Sequence, residues 1–116
     1  MNPVDRLQRL FDYDIWASGE VLAVLKANSK FEQRDRTVKL FAHLLNAQWI
    51  WFRRIIGEGF EDLDLWPDYS LAQCSEIYHM MPSKWSGILK THRDSLDTLI
   101  SYKNTKGEAY ETPLSV

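Results

Sequence analysis

The chain has 116 residues, room for one domain and no reason for two. Its 45% apolar and 26% charged residues are an ordinary globular mixture, able to bury a core. A net charge of -2 gives no electrostatic reason to hold nucleic acid or anionic lipid, and a single cysteine, Cys74, excludes an intramolecular disulfide and suits a reducing cytosol.

The N-terminus, MNPVDRLQRL, has no apolar core of the kind a signal peptide needs, so the chain reads as cytoplasmic. Asn2-Pro3 is a helix start, with Asn as N-cap and Pro at the first helical position. Val4, Leu7, Leu10, Phe11, Val21, Leu22 and Leu25 then recur at helical spacing, which predicts a first helix from Pro3 to about Ala27. Gly19 inside it costs about 1 kcal/mol relative to Ala, and marks either close packing or a tolerated lapse on the surface. Asp12 and Asp14, two apart, point different ways and form no carboxylate pair. Asn28 to Arg34 is a polar connection.

The second helix is predicted from Asp35, as N-cap, to Ile56, with Gly57 as its stop. Leu40, Ala47 and Trp51 mark one face and Phe41, Leu45 and Phe52 another, so this helix reads as apolar all round and buried on every side. Lys39, His43, Asn46, Gln48 and Arg53 interrupt the run, which excludes a membrane span. His43 lies beside Lys39, Leu40, Asn46, Ala47 and Ile50. It is either a core histidine bonded to a backbone carbonyl, or a metal ligand or general base facing a cleft.

Gly59 to Ser70, with its acidic residues and Pro67, reads as a loop in which Trp66 packs onto the helices or serves as a lid. Ser70 and Gln73 form a capping box for a third helix reaching about Leu96, with a kink or short break at Pro82. His79 and His92 fall on it thirteen residues apart, too far for a two-ligand helical site. Cys74 reads as a small buried apolar residue rather than a nucleophile. Leu99–Tyr102 and Ala109–Thr112 flank Asn104–Gly107 as a hairpin that must dock on the helices. Pro113 to Ser115 then reads as a helix entry, with Ser115 as N-cap. There is no P-loop, G-x-S-x-G or C-x-x-C motif.

Three segments carry a family resemblance: LFDYDIWAS (Leu10–Ser18), LFAHLLNAQWIWFRRIIGE (Leu40–Glu58) and ISYKNTKGEAYETPLS (Ile100–Ser115). Together, and in this order, they resemble the DinB/YfiT-like family of metal-dependent enzymes. The resemblance implies an all-α, up-down helical bundle with a small hairpin near the C-terminus. It implies a divalent metal (Zn, Ni or Fe) held by three histidines, of which His43 matches one. The other two belong to an H-x-x-x-H pair on a fourth helix after the TPLS element, which the sequence to Val116 does not contain. Members resemble thiol S-transferases that use low-molecular-weight thiols, or hydrolases. The expectations are therefore a metal site with His43 as its one ligand here, incomplete or inactive, and a flank of helices 1 and 2 left bare and covered in a homodimer. The alternative is a helical dimerisation or interaction protein without catalysis.

Overall fold

The computed structural model describes residues 2–115. It contains three long helices followed by a two-stranded antiparallel hairpin: α1 (Pro3–Ala27), α2 (Arg34–Ile56), α3 (Leu71–Thr91), β1 (Leu99–Lys103) and β2 (Ala109–Pro113).

Each helix end has a local cause. The Asn2 side chain accepts from the Asp5 N–H and Pro3 opens α1. Helix α2 begins one residue before the expected start. Gln33 occupies the cap position without a side-chain bond, and Asp35 lies in the first turn, where a carboxylate favours the positive helix end. At the other end Gly57 adopts φ 81°, its N–H donates to the Arg54 carbonyl, and the Glu58 N–H donates to the Arg53 carbonyl. This is a Schellman stop, which needs the left-handed conformation that glycine supplies. The Ser70–Gln73 capping box forms in full at the start of α3.

Two local expectations on α3 are corrected. Helix α3 ends at Thr91, capped by His92, rather than near Leu96; the residues beyond it turn, with Ser95 N–H on the His92 carbonyl and Thr98 N–H on that of Ser95. Pro82 does not break α3, which runs through it and forgoes one rung of its ladder. Leu114 N–H donates to the Thr98 carbonyl and Ser115 N–H to that of Leu96, tying this segment back to the start of the hairpin; the helix that Ser115 is expected to cap lies outside the described residues.

The helices meet in two layers of core. Leu22 and Leu25 of α1, Phe41, Ala42 and Leu45 of α2, and Cys74 of α3 form one. Met81, Trp85 and Ile88 of α3, with Phe11, Trp49, Phe52 and Ile55 around them, form the other. Reading the layers along the chain fixes the directions. α3 runs against α1, since Cys74 meets Leu22 while Trp85 stacks on Phe11 at 5.1 Å. It runs with α2, since Cys74 meets Phe41 while Trp85 meets Phe52. The simple up-down order expected of the bundle therefore fails at α2 and α3, which are parallel. The connection Gly57–Ser70 has to return the length of α2 before α3 can start.

Helix α2 also departs from the expectation of burial on every side. Phe41, Ala42, Leu45 and Ile50 are buried, but Leu40, Leu44 and Trp51 are exposed. On α1, Leu10, Tyr13, Val21 and Val24 are exposed as well. The hairpin pairs Leu99 with Pro113 and Tyr102 with Tyr110, and docks through Ile100 and Tyr102 near the end of α2.

Candidate functional site around His43

His43 projects from the middle of α2 toward the returning connection, not into the space between α1 and α3. Its Nδ1 lies 2.6 Å from the Leu65 carbonyl oxygen, and its ring stacks on Trp66 with centroids 3.8 Å apart and planes 7° apart. A carbonyl can only accept, so Nδ1 carries the proton and donates. In the neutral imidazole Nε2 is then the lone-pair nitrogen, and no group among the described residues bonds to it.

One turn on, Asn46 is completely buried, and both its amide nitrogen and its amide oxygen have a partner. Its Nδ2 donates to the Asp64 carbonyl at 2.5 Å and its Oδ1 accepts from the Tyr69 hydroxyl at 3.1 Å. Asp64 in turn accepts the Trp66 N–H at 3.2 Å. At the lower end Arg53 donates to the Gly59 carbonyl and to Asp62 Oδ1, at 3.1 and 2.6 Å. The connection is thus a strap fastened to α2 at Arg53, Asn46 and His43 in turn. Burial raises the Tyr69 hydroxyl above its ordinary value, and the neighbouring Cys74 and Asp64 push the same way, so it stays a neutral donor to Asn46.

The remaining candidates separate cleanly. His79 is exposed on α3 with its ring edge against Tyr78, and His92 caps the same helix. Among the described residues no group of three His, Cys, Asp or Glu side chains is placed to hold a metal. His43 alone does not fit a three-imidazole centre. Cys74 is fully buried, and burial pushes its thiol up, away from the thiolate a nucleophile needs. Asp12 accepts from Gln8 and Asp14 from Gln48, so the two carboxylates do diverge.

Two arrangements escaped the sequence. Gln48 links all three helices: its Nε2 donates to Asp14 Oδ2 at 2.9 Å and its Oε1 accepts from Trp85 Nε1 at 3.1 Å. A lone Gln in an apolar run gives no sign of its partners on other helices. Arg54 lies over three rings, Trp51 and Phe60 at 4.6 Å and Tyr102 at 5.0 Å, and donates to the Lys103 carbonyl at 3.2 Å. Burial lowers its pKa from the usual guanidinium range, with Tyr102 opposing. Trp51 and Arg54 share a helix at i, i+3, but Phe60 and Tyr102 come from elsewhere in the chain, so the box has no contiguous signature.

No helix among the described residues is long and apolar enough to cross a membrane. Comparison of the chain with protein-family models, with curated proteins and with solved structures finds no match.

Proposed function

We propose that the chain is a DinB/YfiT-like scaffold of a metal-dependent enzyme, of the thiol S-transferase or hydrolase kind, in which His43 is one ligand to a divalent ion. The observation that supports this reading is the state of His43. A ligating imidazole characteristically donates its other ring N–H to a carbonyl or carboxylate, which fixes the tautomer and aims the lone pair. His43 has that arrangement, with Leu65 as acceptor and Nε2 uncommitted. The Trp66 ring holds the plane. Since the other ligands are not among the described residues, no catalytic step is assigned to this chain.

The experiment is metal titration by calorimetry with Zn²⁺ and Ni²⁺, alongside elemental analysis after dialysis. One imidazole lacks chelate geometry, so we expect weak binding that His43→Ala abolishes, no stoichiometric metal after dialysis, and no thiol transfer by the chain alone. Weak binding that survives His43→Ala removes the ligand role. A second reading, a helical association protein without catalysis, is supported by the exposed apolar residues of α1 and α2.

A further inference from the structure

We infer that the cavity where α1, α2 and α3 meet is a binding site for a single ordered water, which stands in for the helix rung that Pro82 removes. The inference goes beyond the proposed function and involves neither His43 nor a metal.

Pro82 sits inside α3 and has no N–H to give to the carbonyl of Tyr78, four residues back. No side chain or loop amide among the described residues donates to that carbonyl in its place. A proline at such a position ordinarily kinks or breaks a helix, and a backbone carbonyl shielded from bulk water needs a partner. Yet α3 is continuous from Leu71 to Thr91.

Tyr78 and Pro82, the two ends of the missing rung, both line a cavity of about 20 Å³ between the three helices. Three hydrogen bonds frame it. Gln48 donates to Asp14 between α2 and α1 at 2.9 Å, and Trp85 donates to Gln48 between α3 and α2 at 3.1 Å. The Tyr78 hydroxyl donates to the Ile15 carbonyl between α3 and α1 at 3.0 Å. All five of these residues line the cavity.

Size and lining select water. A cavity holds a water once its volume reaches about 10–15 Å³, provided that two to four polar partners are in reach. This one has room for a single water and for no organic ligand. Its wall carries groups of both kinds. Asp14 receives Gln48 at Oδ2, which leaves Oδ1 to accept. The Ser18 hydroxyl, also on the wall, bonds to nothing among the described residues and can donate. A water there donates to Asp14 and to the Tyr78 carbonyl and accepts from Ser18, so it ties α1 to the gap in α3. Cavities that stay dry are apolar, and this one is not. A metal ion suits it badly. Gln48 and Trp85 turn N–H groups into the same network, whereas a hard cation takes oxygen ligands only.

Two measurements on the full chain test this. Magnetic relaxation dispersion of water oxygen counts the waters that stay longer than the protein takes to tumble. Ser18→Val puts two methyl groups in place of the hydroxyl, which removes a partner and fills the space. We expect the wild type to hold one more long-lived water than Ser18→Val. The second measurement is a urea-unfolding cycle of Ser18→Ala and Pro82→Ala. Pro82→Ala restores the N–H, so the Tyr78 carbonyl recovers its rung and no longer depends on the water. Ser18→Ala should therefore raise the unfolding constant about fivefold more in the wild type than in the Pro82→Ala background. The change in helix propensity from Ser to Ala is the same in both backgrounds and cancels. Equal effects of Ser18→Ala in the two would overturn the link between the water and the missing rung. Equal dispersion from the wild type and Ser18→Val overturns the water itself. A wild-type dispersion that grows when choline replaces sodium in the buffer makes a cation the occupant, and overturns it too.

Discussion

Gly19 shows how one missing methyl can be set against a bond on another helix. A Cβ built there would lie 2.7 Å from the Tyr78 hydroxyl oxygen, but 3.5 Å from the ring carbon that bears it. That hydroxyl donates to the Ile15 carbonyl at 3.0 Å, one of the ties between α3 and α1. The glycine is therefore close packing, the first of the two readings its position allowed. Gly19→Ala gains about 1 kcal/mol of helix propensity. It also forces the hydroxyl off its acceptor, which costs ~1–3 kcal/mol for a group left unpaired away from water. We expect a net loss of stability for Gly19→Ala in urea unfolding. In a Tyr78→Phe background the oxygen is gone and the ring carbon is at ordinary contact distance, so there the same substitution should be neutral or stabilising. Equal effects in the two backgrounds would show that the hydroxyl is not what the glycine accommodates.

Among the elements, the strap between Gly57 and Ser70 decides the topology. Two parallel helices cannot be joined by a tight turn, so the chain must climb back along α2, and an irregular segment needs its polar backbone groups satisfied on the way. Asn46 does this at the strap's midpoint, holding the Asp64 carbonyl and the Tyr69 hydroxyl together. Asn46→Ala leaves both unpaired, and should cost ~1–3 kcal/mol. Hydrogen exchange should quicken at Asp64 to Trp66, and the amides of the α2 and α3 cores should change only by the global loss. Unchanged exchange in the strap would mean that the His43–Trp66 stack holds it without Asn46. Helix boundaries at Pro3, Gly57 and Ser70 could be read from sequence because caps and stops are local chemistry. The hairpin was legible for the same reason. The parallel α2–α3 pair was not, because nothing in a loop's composition tells whether it turns or climbs. At the candidate site, His43 and its neighbour Asn46 could be placed on α2 by periodicity. Their acceptors, the backbone carbonyls of Leu65 and Asp64, carry no side-chain signature. Leu96 keeps the helical period past Thr91, so sequence alone predicts a longer α3; the turn at Ser95 and Thr98 takes those residues instead.

For the whole molecule, the thin shape sets what its stability depends on. Helix α2 buries Phe41, Leu45 and Ile50 and leaves Leu40, Leu44 and Trp51 outside, so its apolar character is only half used within one chain. Each Å² of apolar surface withdrawn from water is worth ~25 cal/mol, so covering a few hundred Å² adds several kcal/mol before the cost of association is subtracted. If a second copy provides that cover, unfolding and dissociation are one event, and stability follows mass action. A tenfold rise in protein concentration then adds about 1.4 kcal/mol per dimer. Thermal unfolding of the wild type should shift upward by a few degrees for each such step, since about 1 kcal/mol moves the midpoint of a cooperative unit the size of two chains by ~2–4 °C. Val21→Glu and Leu44→Glu should unfold at a lower temperature that no longer moves with concentration. They replace side chains exposed in the single chain, so their deficit should appear only where the wild type is associated, and should vanish at high dilution. A midpoint independent of concentration in the wild type would place all of its stability within one slab of three helices and a hairpin.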